Sequence, residues 1–129
     1  MAGKRTVVVF LLLLALVAGA CRTAPLYQPH VTFSARDVGS VEQAILHALA
    51  NRRWLAKQEG AGVIIGTLNL RTHQAVVRIE FTADSYSIRY VDSKELLYER
   101  KANGDQVIHQ HYNGWIAYLV KDINAGLGV

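Results

Sequence analysis

The sequence is poor in the residues that staple, kink or span. One cysteine, two prolines and one methionine occur among 129 residues. A lone cysteine closes no internal disulfide, so a cross-linked mini-scaffold is excluded. Only one apolar run is long enough to matter, which excludes a polytopic membrane protein. There is no Gly-x-Ser-x-Gly elbow for a nucleophilic serine. Gly60-Ala61-Gly62 precedes a strand pattern instead of joining a strand to a helix, so it does not meet the requirement for a phosphate loop. Basic residues exceed acidic ones by four and are interleaved with them, leaving no basic block of the kind nucleic-acid binding needs. A hydrophobic fraction of 51% is the composition of a folded chain, not a disordered one. The length fits one domain.

What is present begins at the N-terminus. From Met1 to Ala20, fifteen of twenty residues are apolar. Lys4 and Arg5 precede the unbroken run Val7–Val17, and small residues lead to Cys21. This is the layout of a secretory signal peptide. A bilayer-spanning helix needs about 20 apolar residues, and this run, even extended to Ala20, is fourteen. Val17-Ala18-Gly19-Ala20-Cys21 resembles a bacterial lipobox, with Ala18 where Leu is commoner. The resemblance implies cleavage before Cys21 and acylation of that cysteine. Two or more acyl chains make a stable anchor where one does not. Arg22 follows, and by similarity to Gram-negative lipoproteins the absence of Asp there implies the outer membrane, facing the periplasm. Removal of residues 1–20 takes away Lys4 and Arg5 and lowers the formal charge from +4 to +2. The expected organisation is a signal peptide at 1–20, a lipidated cysteine and tether at 21–38, and a periplasmic domain at 39–129.

In the tether, Pro25 and Pro29 lie near Val31 and Phe33, a candidate short first strand. Ser40 and Gln43 form a capping box, and the apolar spacing of Val41, Ile45, Ala48 and Leu49 predicts a helix over 41–53. Residues 54–58 end it or open a short strand. Strands are predicted over 63–70, 74–82 and 85–92 from β-branched content and period-two alternation. Ala75, Val77, Ile79 and Phe81 share one face, as do Tyr86, Ile88 and Tyr90. Residues 93–101 read as a loop or helical turn and 106–109 as a short strand. The spacing of Tyr112, Trp115, Ile116, Leu119, Val120 and Ile123 predicts a helix over 112–124, ended by Gly126 and Gly128. The fold class expected is α+β. It is a two-layer sandwich of a three- to four-stranded antiparallel meander with two amphipathic helices on one face, in the order α-β-β-β-α.

Three groups of side chains are candidates for function. Tyr86, Tyr90, Tyr112 and Trp115 either fill the core or line a groove between the last helix and the sheet, able to hold a peptide or glycan. Arg78, Glu80 and Arg89 lie on the open sheet face, as a solvated charge pattern or a docking surface. His109 and His111, two residues apart in a strand pattern, are weak metal candidates because no third ligand has suggestive spacing. No metal, cofactor or catalytic residue is assigned. Asp84, Asp92 and Glu95, expected near one sheet end, are the carboxylates that glycosidase chemistry would need as a pair, but turn chemistry accounts for Asp84 and Asp92.

Three motifs carry a wider likeness. They are Leu68-Asn69-x-Arg71-x-His73, Tyr86-Ser87-Ile88-Arg89-Tyr90 and His109-x-x-Tyr112-Asn113-x-Trp115. On these the chain resembles a family of small, mostly uncharacterised proteobacterial lipoproteins. The resemblance transfers no catalytic or binding residue. The function expected is a non-catalytic, membrane-anchored envelope lipoprotein. It would contact the bilayer through acylated Cys21 and bind or scaffold an envelope protein, with no nucleic acid involved. The alternative is a small-ligand or metal-binding module using His109, His111 and nearby aromatics.

Overall fold

The computed structural model describes residues 22–129. The expected signal peptide and the expected acylation site at Cys21 lie outside the described residues. Among the described residues the protein is α+β, with two helices and two antiparallel sheets. In chain order the elements are β1 (Thr23–Pro25), β2 (His30–Thr32), α1 (Val38–Asn51), β3 (Leu55–Gln58), β4 (Val63–Leu70), β5 (His73–Phe81), β6 (Ser85–Lys94), β7 (Glu99–Arg100), β8 (Gln106–His109) and α2 (Gln110–Leu127). One sheet has the order β2-β6-β5-β4-β3 and the other β1-β8-β7. The strands thus outnumber the three or four expected.

The meander is where expected, because alternation fixes it. Ala75, Val77, Ile79 and Phe81 are buried on one face of β5, and Ile64 and Leu68 join them from β4. The helices present Val41, Ile45 and Leu49 from α1, and Tyr112, Ile116, Leu119 and Ile123 from α2, to the same core. Gly66 marks the closest approach of α1 to the sheet. A Cβ there would stand 3.1 Å from Leu49 and 3.2 Å from Val77.

The extra strands come from segments too short for a periodicity signal. Residues 22–38, expected as a tether, contain β1 and β2. Thr23 faces His109 across the small sheet, and Val31 faces Tyr86 across the large one. Pro25 is tolerated because β1 is an edge strand. Asn113 on α2 holds the crossing between the sheets. Its side chain donates to the Pro25 carbonyl at 2.8 Å and accepts from the Tyr27 amide at 3.0 Å. Gln28 does similar work, its Oε1 accepting the Tyr90 amide at 3.0 Å. Tyr90 sits beside a bulge: Val77 faces Tyr90 while Val76 faces Asp92, so Val91 is the extra residue.

Both helices also start earlier than expected. Helix α1 begins three residues before the expected start because Asp37, not Ser40, is the cap. The Asp37 carboxylate accepts the Ser40 amide at 3.2 Å. Gly39, a poor helix former, masks that first turn in the sequence. The helix stops at Asn51, short of Arg53, in a Schellman motif. Arg53 takes a left-handed φ of 63°, and the Trp54 amide donates to the Leu49 carbonyl at 2.8 Å. Helix α2 starts at Gln110 with His109 as cap and ends in the same motif, with Gly128 at φ 72°. Gly126, expected to end the helix, lies inside it and allows close contact with Ala44 of α1.

Candidate functional site

The four aromatics expected to line a groove do not share one. Tyr86 and Tyr112 have no exposed surface and belong to the core. Inward alternation on β6 buries Tyr86, and the first inward position of α2 buries Tyr112. The Tyr86 hydroxyl donates to Asn124 Oδ1 at 2.7 Å, while the Tyr112 hydroxyl is buried with no hydrogen-bond partner. Burial pushes both phenols well above the ordinary tyrosine range. Tyr90 is half-buried; its ring stacks on Tyr98 at 4.2 Å and meets the edge of Tyr112 at 5.9 Å. Trp115 is turned elsewhere, toward α1.

Trp115 lines a hollow that sequence reasoning missed. The recess has a volume of about 300 Å³ and is bounded by Arg52, Arg53, Trp54, Leu68, Asn69, Leu70, Trp115 and Tyr118. It exists because the first turns of α2 lie beyond the end of α1, and Trp54 leaves α1 beneath them. Both tryptophans of the chain contribute to it. The Arg52 guanidinium lies 4.7 Å from the Tyr118 ring centre, a cation–π distance. It also forms a forked bond to Asp122, with contacts of 2.7 and 3.1 Å. Hydrogen bonds from Arg52 and Asn51 hold the Asp122 carboxyl down to about 2. The pair's contribution is therefore present above the ordinary Asp range and lost as pH falls through about 2. One signal for the hollow was available: Trp115 and Tyr118 are three residues apart and adjoin on a helix surface. Among the described residues three larger depressions exist, of about 590, 630 and 380 Å³. They are wider, and only the small hollow has a floor of large apolar rings.

The histidine pair is a cap before it is anything else. His109 Nδ1 accepts the His111 amide at 3.1 Å, and the two ring centres are 4.4 Å apart. Desolvation, then repulsion from His111, His73 and Arg22, lowers the tendency of His109 to protonate. A neutral ring is what a capping acceptor requires. His73 joins this group from the β4–β5 turn, its Nδ1 donating to the Glu95 carbonyl at 2.8 Å. Among the described residues, no three His, Cys, Asp or Glu side chains are grouped to hold a metal ion.

On the outer sheet face, Arg78 pairs with Glu80 at 3.2 Å and approaches Glu59 at 3.5 Å. Arg89 lies directly opposite Arg78 across β5 and β6. Like charges facing one another are unfavourable, and the two acids beside Arg78 offset this. These exposed pairs add little stability.

Among the described residues, no helix is long and apolar enough to cross a membrane. No protein-family model matches the chain, and no curated protein matches it either.

Proposed function

We propose that this chain is a lipid-anchored, non-catalytic binding module of the bacterial envelope, facing the periplasm from the outer membrane. One observation carries the reading: the lipobox cysteine is joined directly to a residue that is already part of the fold. Cys21 precedes Arg22, whose carbonyl accepts the Gln110 amide at 2.9 Å. The acyl chains would hold the domain to the bilayer, and an envelope protein would be met through the outer sheet face with Arg78, Glu80 and Arg89. In this reading the two helices form one layer over the large sheet, leaving its other face for a partner. The test is Cys21→Ala. Palmitate labelling and membrane fractionation should both be lost; a variant still in the membrane fraction would mean a plain hydrophobic anchor.

The hollow favours a second reading, small-ligand binding, with the site at Trp54, Trp115 and Tyr118 instead of at His109 and His111. A flat or short apolar group would fill it, and Arg53 stands at its lip. Because both tryptophans line the hollow, intrinsic fluorescence reports on it directly. Titration with envelope glycans and peptides should shift the emission of the native chain and leave Trp115→Ala unchanged. A native emission insensitive to the whole set would remove this reading.

A further inference from the structure

The end of the fold that receives Arg22 differs in chemistry from the opposite end. Arg22 is bonded to the start of α2, and Thr23 faces His109. The His109 amide donates to the Leu96 carbonyl at 2.8 Å. His73 binds the Glu95 carbonyl, and Leu70 faces His73 across the tight turn. These contacts gather the β4–β5 turn, the β6–β7 link and the start of α2 around Arg22. Leu70 is 44% exposed and Leu97 54%, both large for leucine. Arg71 and Lys94 are exposed beside them, with Glu95 and, two residues before Lys94 on β6, Asp92 as the nearby acids. The opposite end of the large sheet carries Asp37, Glu59 and Asp84 at its turns and the cap of α1, with Glu80 near the end of β5 and Arg36 the cation beside them.

The backbone points the same way. Arg53, Arg71, Glu95 and Leu97 all have positive φ, between 55° and 63°. Glycine would suit each position, and an L-residue there is strained. All four lie at the Arg22 end, so these positions keep side chains at a conformational cost.

Resting on the lipoprotein reading above, we infer that this end, with Arg22, Leu70, Arg71 and Leu97, lies directly on the bilayer headgroups. Cys21 is one residue from Arg22, and successive Cα atoms are about 3.8 Å apart. An acylated Cys21 therefore leaves no linker by which the domain could stand off. Exposed leucines enter the headgroup boundary, as interfacial residues do. Arg22, Arg71 and Lys94 face anionic phosphates, and the acidic turns face away. The occupant is the lipid surface itself. The anchor therefore fixes orientation as well as location, and it directs the outer sheet face sideways along the membrane.

The test uses the full lipidated chain purified from membranes, with an environment-sensitive fluorophore on Leu97→Cys or, separately, on Asp84→Cys. Each is placed in phosphatidylethanolamine–phosphatidylglycerol vesicles carrying a headgroup spin label. Quenching several-fold stronger at position 97 than at position 84 is expected, and Leu70→Cys should repeat the result at position 97. Equal quenching at the two ends, or none at either, in protein whose mass includes acylated Cys21 would overturn the orientation and leave the lipoprotein reading standing. Protein from membranes without the acyl mass would overturn both.

Discussion

The two ends of the large sheet solve the same backbone problem with different residues. At the end away from Arg22, left-handed positions are glycines: Gly60 and Gly62 before β4, and Gly128 closing α2. At the Arg22 end they are Arg53, Arg71, Glu95 and Leu97. The two Schellman motifs make the contrast sharpest, since α1 closes on Arg53 and α2 on Gly128 with nearly the same hydrogen bonds. The buried tyrosine hydroxyls follow the same division. At the far end Thr82, Asp84 and Ser85 bond one another, Tyr86 reaches Asn124, and Arg36 donates to the Leu127 carbonyl. At the Arg22 end the Tyr112 hydroxyl has no partner and His109 resists protonation. One end turns on glycines, while the other keeps left-handed side chains and exposed leucines.

The largest expected test of this contrast compares two tyrosines. Tyr86→Phe removes a bonded hydroxyl and strands Asn124, and should lower stability by about 1–2 kcal/mol. Tyr112→Phe removes a buried hydroxyl that has no partner, and should leave stability unchanged or raise it by about 1 kcal/mol. Urea denaturation of both variants measures the difference. Equal losses would mean that Tyr112 is satisfied in solution and the two ends are alike.

A smaller effect is expected at Arg53. Arg53→Gly should raise stability by roughly 0.5 kcal/mol, the relief of left-handed strain less the added chain entropy of glycine. Gly128→Ala, at the matching place in α2, should lower stability by about 1 kcal/mol. Thermal melts of the two variants should therefore move in opposite directions. A loss on Arg53→Gly would show that the arginine side chain contributes more to folding than its backbone costs.

The comparison also explains what was legible in the sequence. Period-two alternation over Val63–Leu70 and His73–Phe81 and the helical stripe from Tyr112 to Ile123 are local patterns, and the structure keeps them. β1 and β2 are three residues each, and partners distant in sequence, Asn113 and Gln28 among them, hold them in place; the sequence hinted at β2 through Val31 and Phe33 and gave no sign of β1. Asp37 was hidden as a cap because Ser40 and Gln43 read as a capping box three residues further on. Among the candidate site residues, the sequence could place Tyr86 and Tyr112 on apolar faces, but whether such a face meets a groove or a core depends on what packs against it. Of the hollow only the Trp115–Tyr118 spacing was legible, since Trp54, Leu68 and Trp115 meet through the offset between the two helices. Left-handed backbone at Arg53, Arg71, Glu95 and Leu97 leaves no mark in composition, since none of these residues favours it.

The central claim is that this domain is fastened to a bilayer at the cysteine beside its strained end. Intact mass of the protein extracted from membranes addresses it most directly. The account predicts a chain that begins at Cys21 and is heavier than its sequence by a diacylglycerol and one further acyl chain. A chain that retains residues 1–20, or one that begins at Cys21 with a free thiol, would contradict it.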